Sequence, residues 1–168
     1  MVVWKAARLA LALAITGAAP ALAADLAAKA DSGPQTLWSK RCVKEGDRDV
    51  CFIEQYAVAM PANAVLLNVL VGFMAPEGKP RMIMTAPLGV LLAPGLTMSI
   101  DAGKPVTLPF ESCQAGGCRV VADLDLSSLD RFRNGERMTV RFVTADQKAM
   151  DIPVPLKGLA EALKQLKK

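Results

Sequence analysis

Histidine is absent from all 168 residues of this chain. That excludes Ser-His and Cys-His catalytic arrangements and restricts any zinc site to cysteine alone. Aromatics are scarce too, at two Trp, one Tyr and five Phe. With no dense Lys/Arg run interleaved among them, the chain has no footprint for nucleic-acid binding. After its first residues it has no apolar run long enough to span a bilayer. It also has no phosphate-binding glycine loop ahead of a helix, because Gly116-Gly117 falls between two predicted strands. Neighbouring carboxylates do occur, Asp123 with Asp125 and Asp47 with Asp49. Each pair sits at i, i+2 beside a turn, the pattern of solvated strand ends rather than of an acid/base pair. Lys157 and Lys164 read as solvated charges. No catalytic residue, cofactor-binding residue or metal ligand set is legible, and the chain reads as a non-enzyme with no cofactor.

What is there begins with an address. Lys5 and Arg8 form a basic start, Leu9 to Ile15 a short apolar core, and Ala21-Leu22-Ala23 the small-x-small pattern of a cleavage site. Residues 1–23 are therefore expected to be a signal peptide. Residues 24–34 follow as a flexible lead-in, and residues 35–168 as a single domain with one core. Removing the leader deletes two basic residues and no acidic one, so the formal charge falls from +4 to +2. No cysteine follows the cleavage site, which argues against a lipoprotein anchor.

Four cysteines in an exported chain read as two disulfides, for which three connectivities exist. Spacing favours local pairs, Cys42 with Cys51 and Cys113 with Cys118. Neither pair is Cys-x-x-Cys, so structural bridges are favoured over a redox-active one.

The rest is a series of short strands. Gln35 to Cys42 and Val50 to Val58 form a hairpin around Glu45-Gly-Asp-Arg48. Val50, Phe52, Tyr56 and Val58 recur at even spacing, interrupted by Glu54, as on a half-buried strand. Ala64 to Met74 reads as a central strand, and Pro76 to Pro80 as the turn that ends it. Arg81 to Thr85, Arg119 to about Asp125, Glu136 to Val143 and Ala149 to Val154 supply further strands, and Leu96 to Ile100 and Lys104 to Leu108 form a hairpin around Asp101-Ala-Gly103. Phe110 to Cys118 reads as a hairpin tied just outside its turn, with Val106 to Phe110 leading into it. Ser127 to Gly135 is expected to be a short helix, capped by serine and stopped by Asn-Gly. Gly158 to Lys168 is expected to be a terminal helix striped by Leu159, Leu163 and Leu166. The fold class is all-β: an antiparallel β-sandwich of about eight or nine strands, with a short helix and a C-terminal helix.

Two segments are candidates for function. Ala86 to Gly95 holds two prolines and two glycines, which break any regular ladder, yet the residues between are wholly apolar. Such a segment either folds across the core or presents Pro87, Leu88, Val90, Leu91, Leu92 and Pro94 to a partner. Met74, Met82, Met84 and Met98 fall in neighbouring predicted strands. Thioethers suit Cu(I), but methionine is also an ordinary core filler, which is the favoured reading here.

With those residues in place, the chain resembles the invasion-associated locus B family of alphaproteobacterial exported proteins. The resemblance rests on Trp38-x3-Cys42-x8-Cys51, Pro87-Leu-Gly-Val-Leu-Leu-Ala-Pro-Gly95, Phe110-x2-Cys113-x3-Gly117-Cys118, and Pro155-Leu-Lys-Gly158 ahead of an Ala/Leu-rich helix. It implies a compact β-sandwich located in the periplasm, peripherally at the outer membrane, or secreted. It also implies a non-enzymatic role in binding a protein partner in the envelope or on a host cell, in the manner of invasion. The family offers no catalytic residues to carry over. The competing reading is a periplasmic small-ligand or Cu(I) binder.

Overall fold

The computed structural model describes residues 38–75 and 78–166, and the expected leader and lead-in lie outside them. Ten strands and two helices follow in chain order. They are β1 (Ser39–Glu45), β2 (Arg48–Ala59), β3 (Ala64–Gly72), β4 (Arg81–Ala86), β5 (Leu96–Ile100), β6 (Val106–Leu108), β7 (Ser112–Gln114), β8 (Gly117–Asp123), α1 (Leu126–Asn134), β9 (Arg137–Val143), β10 (Ala149–Pro155) and α2 (Leu159–Lys164). All pairing is antiparallel, in a six-stranded sheet ordered β1-β2-β3-β4-β8-β7 and a four-stranded sheet ordered β10-β9-β5-β6. The expected β-sandwich is therefore the observed one.

Alternation builds the core. Leu67, Val69 and Val71 of β3, Met82 and Met84 of β4, and Val120 of β8 face inward from the larger sheet. Leu96 of β5, Met138, Val140 and Phe142 of β9, and Ile152 and Val154 of β10 meet them from the smaller one. Successive side chains on a strand point to opposite faces, so each segment gives every second residue to the core. At the margins β10 approaches β2 and β6 approaches β8, leaving β1 and β7 to overhang the narrower sheet.

The helices close one end. α1 contributes Leu129 and Phe132, and α2 with its following turn contributes Leu159, Ala162, Leu163 and Leu166, all to the same core. Trp38 joins them, its Nε1 donating to the Pro155 carbonyl at 3.1 Å. Wholly burying Phe132 contributes about 2–3 kcal/mol relative to leaving it in water. The leucine stripe read from the terminal segment is the face that packs.

Several local expectations change. β2 buries Phe52, Ile53, Glu54 and Gln55, but of its apolar residues it is Ile53 that joins the core, with Cys51 and Ala57 packed against that core on the same side. The even-numbered series Val50, Phe52, Tyr56 and Val58 therefore lies on the outer face. Glu54 is on that outer face as well, so it does not interrupt the core stripe. The hairpin expected around Asp101-Ala-Gly103 does form, Val106–Leu108 pairing with β5 in the smaller sheet, and the chain then crosses to the larger sheet, where β7, the first arm of the disulfide hairpin, is only three residues long. α1 is capped by Asp125, whose Oδ1 accepts from Ser128 N at 2.6 Å, and not by serine. An aspartate one residue ahead of the apolar series competes better for the helix amides, because its charge also suits the dipole.

Both disulfides form as local pairs. Cys42 stands directly opposite Cys51 and Cys113 opposite Cys118, with S–S distances of 2.03 and 2.08 Å. Each closes a small loop, so replacing either pair by alanine is expected to lower unfolding free energy by about 2–3 kcal/mol. Urea titration of the two double variants checks this, and an unchanged midpoint would show that the strand it ties is held by other contacts.

Acid sensitivity also follows from the geometry. Hydrogen bonds from Arg81 hold Asp123 below its ordinary value, those from Ser128 and Ser127 do so for Asp125, and those from Arg141 for Asp151. Asp146 falls to about 2 through Lys148 and Thr144. The unfolded chain takes up these protons first as pH drops, so their stabilisation is complete above about pH 5 and is lost on approaching the folded values. The unfolding midpoint should be flat at higher pH and fall steadily toward about pH 2. Asp146→Asn should flatten the lowest part of that profile.

Candidate interaction surface

The apolar segment after β4 is a crossover between the two sheets. It leaves the larger sheet at Ala86 and enters the smaller one at Leu96. On the way Val90 forms an isolated antiparallel bridge with Thr144, Leu91 N donates to Val143 O at 2.8 Å, and Ala145 N donates to Gly89 O at 2.7 Å. The crossover is thereby laced to the β9–β10 turn. Gly89 reaches φ +85° in open surroundings, a backbone state that glycine adopts readily. At Gly95, a side chain would lie 2.7 Å from the Leu108 carbonyl, so close approach to β6 also requires glycine.

This anchoring sorts the residues that the sequence grouped together. Val90 is buried in the core, and Pro87 and Leu91 are half-buried. Pro94 is exposed, and Leu88 and Leu92 project with 58 % and 51 % of their surface exposed. One loop thus folds Val90 onto the core and leaves Leu88, Leu92 and Pro94 facing solvent.

Strand register places three other connections at the same end: the β2–β3 turn, the β7–β8 turn and the β9–β10 turn. Met60, 54 % exposed, lies in the β2–β3 connection, and Val65, 49 % exposed, stands at the start of β3 beside it. Nothing in the sequence pattern marks that turn, because its partners at this end are brought together only by the topology.

The remaining candidates have structural roles. Asp123 forms a two-point ion pair with Arg81, at 2.6 and 3.1 Å, and Asp49 pairs with Lys44 at 3.3 Å. Asp125 is the helix cap. Met82 and Met84 are wholly buried among aliphatic side chains, Met98 packs on the same core from the other sheet, and Met74 follows the end of β3 outside that cluster. Among the described residues, no group of three or more His, Cys, Asp or Glu side chains is placed to hold a metal ion.

One polar cluster has no signature in the sequence. Glu54, its side chain 9 % exposed on the outer face, accepts from Arg41 Nη1 at 3.1 Å and from the Tyr56 hydroxyl at 3.0 Å. Burial, and next the Glu54 carboxylate, raise the Tyr56 phenol above its ordinary value. These groups satisfy one another and tie β1 to β2. Gln55 Oε1 and Arg119 Nε are buried without a hydrogen-bond partner among the described residues. They point to opposite faces of the sheet, since Gln55 aligns with core-facing Ile53 and Arg119 is adjacent to core-facing Cys118, so they cannot converge on one ligand.

Val90→Asp should cost more than about 3 kcal/mol, because it buries an unpaired charge. Leu88→Asp combined with Leu92→Asp should shift stability by less than about 1 kcal/mol, because both side chains already face solvent. Thermal unfolding of the two variants separates the anchoring residue from the projecting ones.

Known proteins share this geometry and the sequence behind it. The family model described as "Invasion associated locus B (IalB) protein" matches residues 38–167. Proteins named "Invasion protein B homolog" from Brucella abortus strain 2308 and from Brucella abortus biovar 1 strain 9-941 are each 24 % identical over 164 residues, covering 94 % of this chain and 94 % of theirs. The crystal structure of invasion associated protein b from Bartonella henselae superposes with a TM-score of 0.68 at 23 % identity, over 79 % of this chain and 92 % of that one. That likeness confirms the fold.

Proposed function

This chain belongs to the invasion-associated locus B family, and from that premise we propose that it is an exported, non-enzymatic envelope protein that engages a macromolecular partner through the apolar end of its sandwich. The observation that carries the reading is the division of labour in the β4–β5 crossover. Val90 is buried against the core, yet Leu88 and Leu92 stand in solvent on the same loop at 58 % and 51 % exposure. Exposed leucines on an anchored loop already have their backbone ordered, so contact through them costs little further conformational entropy.

A binding role also agrees with the chemistry on offer. The chain has no histidine and no free thiol, both cysteine pairs being disulfide-bonded. Of its close carboxylates, Asp49 and Asp123 are committed to ion pairs and Asp125 to a helix cap. The names of the Brucella and Bartonella proteins connect them with invasion. On this proposal the present chain contributes in a related way, by attachment within the envelope or to a host-cell surface.

The test is a crosslinking capture of the exported protein from its own cell envelope, run in parallel on host membranes. The Leu88→Asp/Leu92→Asp variant should lose the captured material while keeping its unfolding temperature. Leu126→Asp, at the helical end and 73 % exposed in the native chain, should keep it. Equal capture by all three proteins would place any interface elsewhere and overturn the reading.

A further inference from the structure

The four connections at the crossover end differ from the rest of the surface in one respect: they are almost free of charge. Residues 59–65, 87–95 and 115–116 contain no Asp, Glu, Lys or Arg. Residues 144–148 contain one of each sign, and these neutralise each other through a Lys148 Nζ–Asp146 Oδ2 contact of 2.7 Å. The β6–β7 crossing does carry Glu111, but its amide is bonded to Arg119 O, so it is set back from the β7–β8 tip by the length of β7. At the opposite end the connections carry charge throughout. The β1–β2 turn has Asp47, the β3–β4 connection Lys79, the β5–β6 turn Lys104, and α1 Asp130, Arg131 and Arg133. The sandwich is therefore polarised along its strands, with one uncharged apolar pole and one charged pole.

Building on the proposed binding role, we infer that the partner at the uncharged pole is a lipid surface, into which Met60, Leu88 and Leu92 insert. Two features select lipid over protein. Protein interfaces draw their strongest contacts from Trp, Tyr and Arg, set in a patch that excludes water. None of these occurs in the four connections. What does occur is aliphatic side chains and methionine, carried on separate loop tips rather than gathered in a groove. Tips of that kind can enter the boundary between headgroups and acyl chains individually. Charge matching points the same way. The acyl region penalises any unpaired ion, and this is the pole whose loop tips lack ions or pair them. Anchoring adds a third condition. Polar backbone groups entering a bilayer must be satisfied within the protein. The crossover meets this for Leu91 N and Gly89 O, bonded to Val143 O and Ala145 N, and for Gly95 N, bonded to Leu92 O at 3.0 Å.

Because the loop tips have no net charge, attraction should come from apolar contact and not from anionic headgroups. The test is flotation of the exported, leader-processed protein, both disulfides formed, with vesicles of phosphatidylcholine alone and of phosphatidylethanolamine with phosphatidylglycerol. The expected result is binding to both, undiminished by raised salt. Leu88→Asp/Leu92→Asp should weaken it by at least about tenfold, and Leu126→Asp should leave it unchanged. Should the double variant prove poorly folded, Leu92→Trp provides a separate reading. The fluorescence of that variant should shift to the blue on vesicles and be quenched by brominated acyl chains. Failure of the wild type to float, equal loss with Leu126→Asp, binding abolished by salt, or an unquenched signal from the Leu92→Trp variant would each overturn the inference. Leucine-dependent capture of a protein without vesicle binding would also overturn it, while leaving the broader binding role in place.

Discussion

The larger sheet is two strands wider than the smaller one, and the rest of the architecture answers to that mismatch. A sandwich is stabilised where its two inner faces meet. β1 and β7 lie beyond that overlap, and every residue of either strand is exposed. Burial of apolar surface can hold neither in place. Each is instead joined covalently to its inner neighbour, β1 to β2 by Cys42–Cys51 and β7 to β8 by Cys113–Cys118. On the β1 side the overhang is also covered from within. α2 packs against β2, Trp38 reaches the Pro155 carbonyl, and Lys40 Nζ donates to the Gln165 carbonyl at 3.0 Å. The disulfides are thus where the hydrophobic effect has least to act on.

The same mismatch explains how the sheet edges avoid further pairing. An edge strand with free amides and carbonyls invites another chain. β1 carries Lys40, Arg41, Lys44 and Glu45 along its seven residues, β7 and β6 are three residues long, and β10 contains Pro153 and Pro155. All four edges are blunted by charge, brevity or proline. Pairing with a further chain along the edges is therefore disfavoured, which leaves the ends of the sandwich for the contact proposed above.

How much of this is legible in the sequence depends on whether a feature is local. The disulfides, the terminal leucine stripe and the anomalous Pro87–Gly95 segment are each written within about a dozen residues, and each is visible there. The face of β2 is not. Its two sides are nearly equally apolar, Val50, Phe52, Tyr56 and Val58 against Cys51, Ile53, Ala57 and the neutral Gln55. Alternation alone cannot choose between them. The choice is made by the core packed on the odd-numbered side, and by Arg41, which satisfies Glu54 on the other. Val106–Leu108 is legible despite its shortness, because the Asp101-Ala-Gly103 turn beside it pairs it with β5. The uncharged pole is invisible as a unit, since its four connections are scattered between residues 59 and 148 and share nothing but an end of the fold.

Stability accounts for most of that pole, but not for all of it. Val90 must be apolar because it is core, and Gly89 and Gly95 must be glycine for backbone reasons. Leu88 and Leu92 meet neither demand. A serine or lysine at either position would satisfy the same backbone bonds and would lower the risk of nonspecific association that exposed leucine brings. The two side chains are set on a loop that the fold has already anchored, at the end where charge is missing, and opposite the end that the helices seal. Their placement is one the core does not require, and on the proposed reading the functional weight of the molecule rests on them and not on the cysteine hairpin that first marks the family.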